Sequence, residues 1–242
     1  MLQARYPLPI DVDVLYDDES HTYGLRSCPG KPFKSVTAVA GMRMPPFDAA
    51  AVSSKLAASG RGAYAGKSAK EIRESWSKLA ALGTALHADV ETYYNGGPQP
   101  NHNGFIDAAS VLKIGLNLNP WRSELRMASA TTGIAGTSDM IFTTNGEPPK
   151  NGVTIVDWKR TDKAPEWCRY DTCRRELSHL PAGKFWKFAV QLNLYALLLW
   201  DTCQIPTVKM LFVLLHPNGN EYNILKVPQM PEIAAVYRRA RK

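Results

Sequence analysis

Hydrophobic and polar positions change period several times along this 242-residue chain, and each change marks an element. Near the N-terminus Val12, Val14 and Tyr16 alternate with other residues, Asp17-Asp18-Glu19-Ser20 makes a turn, and Thr22-Tyr23-Gly24-Leu25 returns, which predicts a β-hairpin. After Lys31-Pro32 come the short segment Ser35-Val36-Thr37-Ala38-Val39 and a Pro45-Pro46 break. Ser68 and Glu71 have the spacing of a capping box, in which each side chain satisfies a free amide of the other residue. Leu79, Leu82, Leu86, Val90 and Tyr93 then recur at helical spacing and predict one buried stripe. Asn95-Gly96-Gly97-Pro98 stops this helix, and a second is predicted over residues 104–116, ended by Asn119-Pro120.

The middle of the chain switches to period two. Arg122, Glu124 and Arg126 alternate with Ser123, Leu125 and Met127, as in a half-buried strand. Residues 133–142 read as a strand, Thr144-Asn145-Gly146-Glu147 as a turn region, and residues 153–159 as the partner strand. A long helix is predicted over 183–202 and an apolar strand, buried on both faces, over 208–215. Asn218-Gly219-Asn220 turns the chain into a strand at 222–227. A basic helix closes it, with Pro231 near its start and Arg238, Arg239, Arg241 and Lys242 at its end. Those cations complement the helix dipole; a phosphate-touching tail is the other reading. The order of helix, three antiparallel strands, helix and strand predicts an α/β (α+β) architecture, a central mixed sheet flanked by helices with an N-terminal β-hairpin extension. Residues 1–66 are expected as the hairpin and extension packed on a core of residues 67–242, in one globular unit.

Composition narrows the class. Apolar residues make up 45% and aromatics 10%, enough for a substantial core, so a disordered chain is excluded. The formal net charge of +7 favours an anionic partner, because a positive field steers polyanions and releases their counterions. No charged leader followed by an apolar run opens the chain. The most apolar stretch, residues 188–200, is interrupted by Gln191 and Asn193 and is too short to span a bilayer. A soluble intracellular protein with no membrane association is the expectation. Cys28, Cys168, Cys173 and Cys203 form no CxxC pair, so reduced, packing cysteines are expected.

The candidate chemistry lies in Gly136-Thr137-Ser138-Asp139 and, after the turn, Val153-Thr154-Ile155-Val156-Asp157-Trp158-Lys159. Side chains two apart on a strand share a face, so Asp157 and Lys159 point the same way and Asp139 can meet them from the neighbouring strand. Paired carboxylates bind hard divalent cations such as Mg²⁺, and a lysine beside them would orient or activate a water for attack on phosphorus. An Asp-x-Lys pair on an exposed strand is ordinarily solvated. Here Val153, Ile155, Val156 and Trp158 make the strand apolar, and ionised groups are costly there unless paired or coordinated. His87 stands one turn after Gly83, with Glu91 a further turn on, at the margin of the apolar stripe. It is a satisfied core histidine or, beside two carboxylates, a metal ligand. Gln191 and Tyr195, one turn apart amid Phe188, Leu192, Leu194, Leu197 and Leu198, are expected as a buried hydrogen-bonded pair facing the same site.

In this order the residues resemble the RecB-like and lambda-exonuclease-like branch of the PD-(D/E)XK nuclease superfamily. That branch's signature stands here as Gly83-x-x-x-His87, Glu124, Gly136-x-x-Asp139, Asp157-Trp158-Lys159 and Gln191-x-x-x-Tyr195, from about residue 83 to 195. The N-terminal hairpin and Ser35-Val36-Thr37 are also similar to the openings of mitochondrial-maintenance and large-DNA-virus exonucleases of the branch. The resemblance implies a restriction-endonuclease-like αβββαβ core and hydrolysis of DNA phosphodiester bonds dependent on Mg²⁺ or Mn²⁺, by an exonuclease acting on ends in replication, recombination or repair. By the same resemblance His87, Asp139, Asp157 and the backbone carbonyl of Trp158 hold the metal, and Lys159 positions the attacking water. Gln191 and Tyr195 support the lysine or contact the DNA backbone. Glu124 joins the catalytic set, although a Glu-Leu-Arg strand can equally carry a surface ion pair.

A structure-specific or cap-cleaving endonuclease on the same fold, and a catalytically inactive nucleic-acid-binding factor, remain alternatives. Some members hold an iron–sulfur cluster on one cysteine before the core and three clustered after it. Here Cys168 and Cys173 precede Gln191 and only Cys203 follows, so no iron–sulfur cluster is expected. No Walker A segment is present, so a helicase or recombination protein working with this chain would be a separate partner. Contacts to DNA, as a single strand or a duplex end, are expected from Lys67, Lys70, Arg73, Arg169, Arg174, Arg175, Lys184 and Lys187. Trp167, Tyr170 and Trp186 are interleaved with the later groups, and aromatics among cations suit unstacked bases.

Overall fold

The period-two segments in the middle of the chain hydrogen-bond into one sheet, and helical segments cover it on both sides. The structure is a computed structural model describing residues 1–144, 149–161 and 167–239, with backbone alone for 167–170. Two short helices, α1 (Leu2–Arg5) and α2 (Ile10–Asp13), lead into the hairpin β1 (Val14–Asp17) and β2 (Thr22–Leu25). Next come β3 (Lys34–Ser35), α3 (Val36–Gly41), α4 (Ala49–Ser59), α5 (Ala69–Tyr94) and α6 (Asn103–Ser110). The strands β4 (Leu118–Ser129), β5 (Ile134–Thr144) and β6 (Val153–Arg160) follow, then a small pair, β7 (Trp167–Thr172) and β8 (Pro181–Gly183). Helix α7 (Lys184–Cys203), strands β9 (Thr207–Leu215) and β10 (Tyr222–Lys226), and α8 (Ile233–Arg239) complete the described chain.

The protein is a mixed α/β structure with a central mixed sheet flanked by helices. Strands run in the order β10, β9, β6, β5, with β4 along one side of β5 and β3 against its start on the other. Pairing is antiparallel from β4 to β6, parallel between β6 and β9, and antiparallel again between β9 and β10. On one face Ile155, Phe212 and Leu214 pack with Leu192, Leu194 and Leu198 of α7. On the other, Met140, Phe142, Val156 and Trp158 pack with Leu86, Val90 and Phe105 of α5 and α6. Burial on both faces explains the near-continuous apolar run of β6, since each fully buried large side chain stabilises by about 1.5–3 kcal/mol.

Several elements differ from the sequence expectation. Val12 belongs to α2 and is 75% exposed, so the first strand begins only at Val14. Ser35 ends a two-residue strand and caps α3 by accepting from the Ala38 amide. The capping box of Ser68 and Glu71 forms as read, but Leu79 and Leu82 are 56% and 48% exposed. The middle of α5 therefore stands clear of the core: the helix buries Ile72 where it packs with α4, and Leu86 and Val90 against the sheet. The helix expected over 104–116 is α6 followed by a π-helical turn, Val111–Gly115. Val208 is 54% exposed, and full burial of β9 begins at Met210. Helix α4 and the pair β7–β8 were not anticipated. The proposed turn residues 145–147, together with Arg241 and Lys242, lie outside the described residues. Among the described residues no helix is long and apolar enough to cross a membrane.

The largest departure concerns Arg122, placed by strand alternation on an open face yet only 2% exposed. Its guanidinium donates to Asp11 Oδ2 at 3.0 Å, to Asp11 Oδ1 at 2.5 Å and to the Tyr6 carbonyl at 2.9 Å. A bidentate pair of this kind fastens the N-terminal segment to β4 and neutralises a charge that could not stand there alone. Asp11→Ala should therefore destabilise the protein by about 3–5 kcal/mol, measured by urea unfolding, because it strands the arginine. Replacing both residues with apolar ones should cost much less.

Candidate metal centre

The site arises where two neighbouring strands stop pairing. Strands β5 and β6 pair from Thr143↔Val153 to Met140↔Val156 and then separate, while β6 continues along β9 through Asp157↔Phe212 and Lys159↔Leu214. Asp139 is the next residue of β5 beyond the last pair, and Asp157 the next of β6. The Trp158 amide, released from the ladder, donates instead to Asp139 Oδ2 at 3.3 Å. A strand parting thus leaves backbone groups in need of partners and side chains free to converge.

Four elements bring groups to this point. From α5, His87 Nδ1 lies 3.2 Å from Asp139 Oδ2. From β4, Glu124 stands opposite Asp139, between the pairs Ser123↔Met140 and Leu125↔Ser138. One ligand atom from each of His87, Glu124 and Asp139 lies within 4.8 Å of the others. From β6, Asp157 is 2% exposed, and its Oδ1 and Oδ2 lie 2.9 and 2.8 Å from Lys159 Nζ. From α7, Gln191 Nε2 donates to the Tyr195 hydroxyl at 3.0 Å, and the Phe188 ring centroid lies 5.1 Å from Lys159 Nζ. Asn95, at the end of α5, donates to Ser123 Oγ at 2.9 Å and so ties the helix carrying His87 to the strand carrying Glu124.

Local backbone features have identifiable causes. Glu124 has φ +44°, the left-handed region that a non-glycine residue occupies at a cost of about 1–3 kcal/mol. Gly136 explains itself sterically: a Cβ there would come within 2.8 Å of Tyr195 Cε1 and 2.9 Å of Val36 Cγ2. The missing side chain lets α7 and α3 fill the gap that β6 leaves beside β5. Gly83 is different, because a Cβ there would meet no heavy atom within 4 Å. Inside a helix a glycine costs about 1 kcal/mol relative to alanine.

Crowding of the charges shifts their titration. Burial, then Asp139 and Glu91, push Glu124 up to about 8. Burial, helped by Asp139 and opposed by Lys159, raises Asp157 to about 6. Burial also acts against the charge of Asp139, but His87 and Lys159 outweigh it and lower its pKa. For His87 and Lys159 burial opposes the charged form; the neighbouring carboxylates prevail and raise both. Tyr195 is raised strongly, chiefly by burial. Beside Glu124 lies a polar cavity of about 180 Å³, bordered by Glu91, Asn95, Arg122 and Arg126.

The donor set fits a hard divalent cation. At metal–oxygen distances near 2.1 Å, octahedral ligands stand about 3–4.2 Å apart, so a triad within 4.8 Å needs only a slight contraction. Carboxylate oxygens suit Mg²⁺ and Mn²⁺, whereas an imidazole is the ligand of softer ions such as Zn²⁺ or Fe²⁺, so the mixed set is compatible with either kind. The sequence expectation grouped His87, Asp139 and Asp157; the structure gathers His87, Asp139 and Glu124 and holds Asp157 on the lysine. The Trp158 side chain, wholly buried, packs on Phe105 (5.0 Å between centroids) and Tyr94 (6.3 Å), on the sheet face opposite Asp157. Phe188 was not foreseen as a site residue; its only signal was the spacing Phe188, Gln191, Tyr195 along one helix.

The expected phosphate contacts are scattered. Lys67 and Lys70 are exposed, Lys70 with Glu74 at 3.9 Å, whereas Arg73 donates to Ser53 Oγ at 2.8 Å and binds α5 to α4. Arg174, Arg175 and Lys184 are exposed, and Lys187 is half-buried. Trp186 is half-buried, packed against the core, and edge-on to Phe185 at 5.2 Å. The side chains of Trp167, Arg169 and Tyr170 lie outside the described residues.

Comparison with known proteins adds little to this geometry. No family model matches the chain, and no curated protein does. A solved structure titled "Crystal structure of SSO0001" is similar over 86% of this chain and 72% of its own, at 16% identity. Its TM-score of 0.38 is too low to carry an argument.

The titration of the site gives a test free of any assumed activity. Asp157 and Glu124 are raised from 3.8 and 4.5 to about 6 and about 8, so their contribution to stability is complete at low pH and is lost as pH climbs from about 4 to about 8, and that of His87, also raised, is lost in the same direction. Protein freed of divalent ions with EDTA should therefore unfold more easily at pH 8 than at pH 5.5. Glu124→Gln should flatten that dependence and be more stable than the parent at pH 8 by about 1–3 kcal/mol, read by thermal unfolding.

Proposed function

We propose that this protein is a metal-dependent nuclease of the PD-(D/E)XK type, with a restriction-endonuclease-like core running from α5 through β4, β5, β6 and α7 to β9. In this reading it hydrolyses DNA phosphodiester bonds and acts as an exonuclease on ends. The observation that carries the reading is the convergence of His87, Glu124 and Asp139 beside the buried Asp157–Lys159 pair, where β5 and β6 part.

In this reading His87, Glu124 and Asp139 hold a Mg²⁺ or Mn²⁺, with Asp157 within reach of the same centre. The ion supplies neutralisation of the negative charge that develops on the phosphate oxygens. Asp157 fixes the Lys159 ammonium through two short contacts, and the Phe188 ring shields it from one side. So held, Lys159 aims a water at phosphorus in line with the leaving oxygen. The Gln191–Tyr195 pair supports the lysine's side of the site and presents a hydroxyl toward a phosphate oxygen. The excess of cations draws in the polyanion.

End-labelled single- and double-stranded DNA, incubated with Mg²⁺, Mn²⁺ or EDTA, tests this directly. Cleavage should require the ion, leave a closed circular substrate intact and fall by about 10²-fold or more in Asp157→Ala and Lys159→Ala. Lys159→Ala should still bind DNA. Digestion that survives EDTA or persists in Asp157→Ala would overturn the mechanism, and rapid opening of the circle would make the enzyme an endonuclease.

A further inference from the structure

Glu124 reaches its partners through a backbone that the sheet alone would not keep. Among the described residues it is the one non-glycine position inside a strand with a left-handed φ. Such a conformation persists only where the surroundings over-determine it. The two residues before it are both held from outside the sheet. Arg122 is clamped by Asp11 and the Tyr6 carbonyl. Ser123 Oγ accepts from Asn95 Nδ2 at 2.9 Å, and the ladder with β5 skips from Ser123↔Met140 to Leu125↔Ser138. Asn95 is a junction as well as a helix end. Asparagine suits the end of a helix because it tolerates left-handed backbone, but Asn95 has φ −91° and ψ 9° and makes no use of that. Its carboxamide instead joins three elements. Oδ1 accepts from the Leu2 amide of α1 at 2.8 Å, and Nδ2 donates to the Glu91 carbonyl of α5 at 3.0 Å and to Ser123 of β4. This needs a side chain that donates and accepts at once, which an ionised carboxylate or an alkyl group cannot do. Asn95, Ser123 and Glu124 border the same polar cavity.

We propose that Asn95 is a positioning residue of the metal centre: through Ser123 it holds Glu124 in the left-handed conformation that keeps its carboxylate within reach of His87 and Asp139. The inference rests on the metal-centre part of the proposed function and adds a residue that touches neither the ion nor the substrate. His87 lies about two turns before Asn95 on the same helix, so the amide also fixes the spacing between imidazole and carboxylate. Loss of the Ser123 contact lets the backbone relax toward the extended region, and the carboxylate then leaves the triad. Outer partners of this kind orient the ligands themselves, and removing one weakens metal binding by about 10- to 100-fold.

Titration with Co²⁺, followed by its visible absorption, tests the proposal, because Co²⁺ binds mixed nitrogen and oxygen sets more tightly than Mn²⁺ and its spectrum reports ligand geometry. Asn95→Ala and Ser123→Ala should each weaken Co²⁺ binding by about tenfold and alter the spectrum. A Glu124→Gln background lacks the carboxylate being positioned, and there neither change should weaken binding by more than about twofold. An equal loss in both backgrounds would mean that the amide acts on His87 or on the fold at large, and overturns the proposal. So does parental Co²⁺ affinity in folded Asn95→Ala. Should Asn95→Ala fail to fold, Ser123→Ala, the milder change, decides by the same comparison. If the parent binds no Co²⁺, the metal centre and the positioning role fall together. If Co²⁺ binding follows the expected pattern but no DNA is cleaved in Mg²⁺ or Mn²⁺, the nuclease reading falls and Asn95 keeps its role. If DNA is cleaved while both variants bind Co²⁺ as the parent does, the positioning role alone is overturned.

Discussion

Five ionisable side chains meet at one end of a sheet whose two faces are otherwise packed with apolar residues, and the parting of β5 from β6 makes room for them. A carboxylate removed from water must be paired, protonated or coordinated. Asp157 is paired by Lys159 and Asp139 by His87, whereas Glu124 forms no ion pair among the described residues and is raised toward the neutral form. The surrounding architecture answers this constraint. Helix α5 brings the imidazole, α7 closes the gap with Tyr195, and the ladder between β6 and β9 continues past the break to hold the strand bearing Asp157 and Lys159.

How far the sequence revealed this depended on the range of the interaction. The capping box at Ser68, the two-sided burial of β6 and the shared direction of Asp157 and Lys159 follow from contacts within a few residues, and each was legible. Convergence of Asp139 with His87 was inferable only through a likeness of motif order, because the two are 52 positions apart and no local period relates them. Glu124 was joined to that set by the same likeness, and nothing local pointed to its backbone. Its position there depends on a reversal of backbone handedness that no propensity foretells for a glutamate.

The errors have physical reasons as well. Alternation placed Arg122 in water, but the N-terminal segment supplied Asp11 and the Tyr6 carbonyl from more than a hundred residues away and turned an apparent surface position into an anchor. Helical spacing placed Leu79 and Leu82 in the core, yet spacing shows only which residues share a stripe. What covers that stripe is a tertiary matter, and on α5 the cover is present at both ends and absent between them. Arg73, whose charge near the start of α5 suggests a phosphate contact, is engaged with Ser53 of α4.

The left-handed backbone at Glu124 has a consequence for how this chain can vary over generations. Glycine would relieve the dihedral strain there, and asparagine would tolerate it better than glutamate does, but either would delete the carboxylate. In the proposed reading, folding and chemistry therefore pull this position in opposite directions. Lineages that keep the acid reveal continuing selection for what it does, and those freed from that demand should drift first to glycine or asparagine. Position 124 is thus a natural gauge of whether a descendant of this sequence still uses its site.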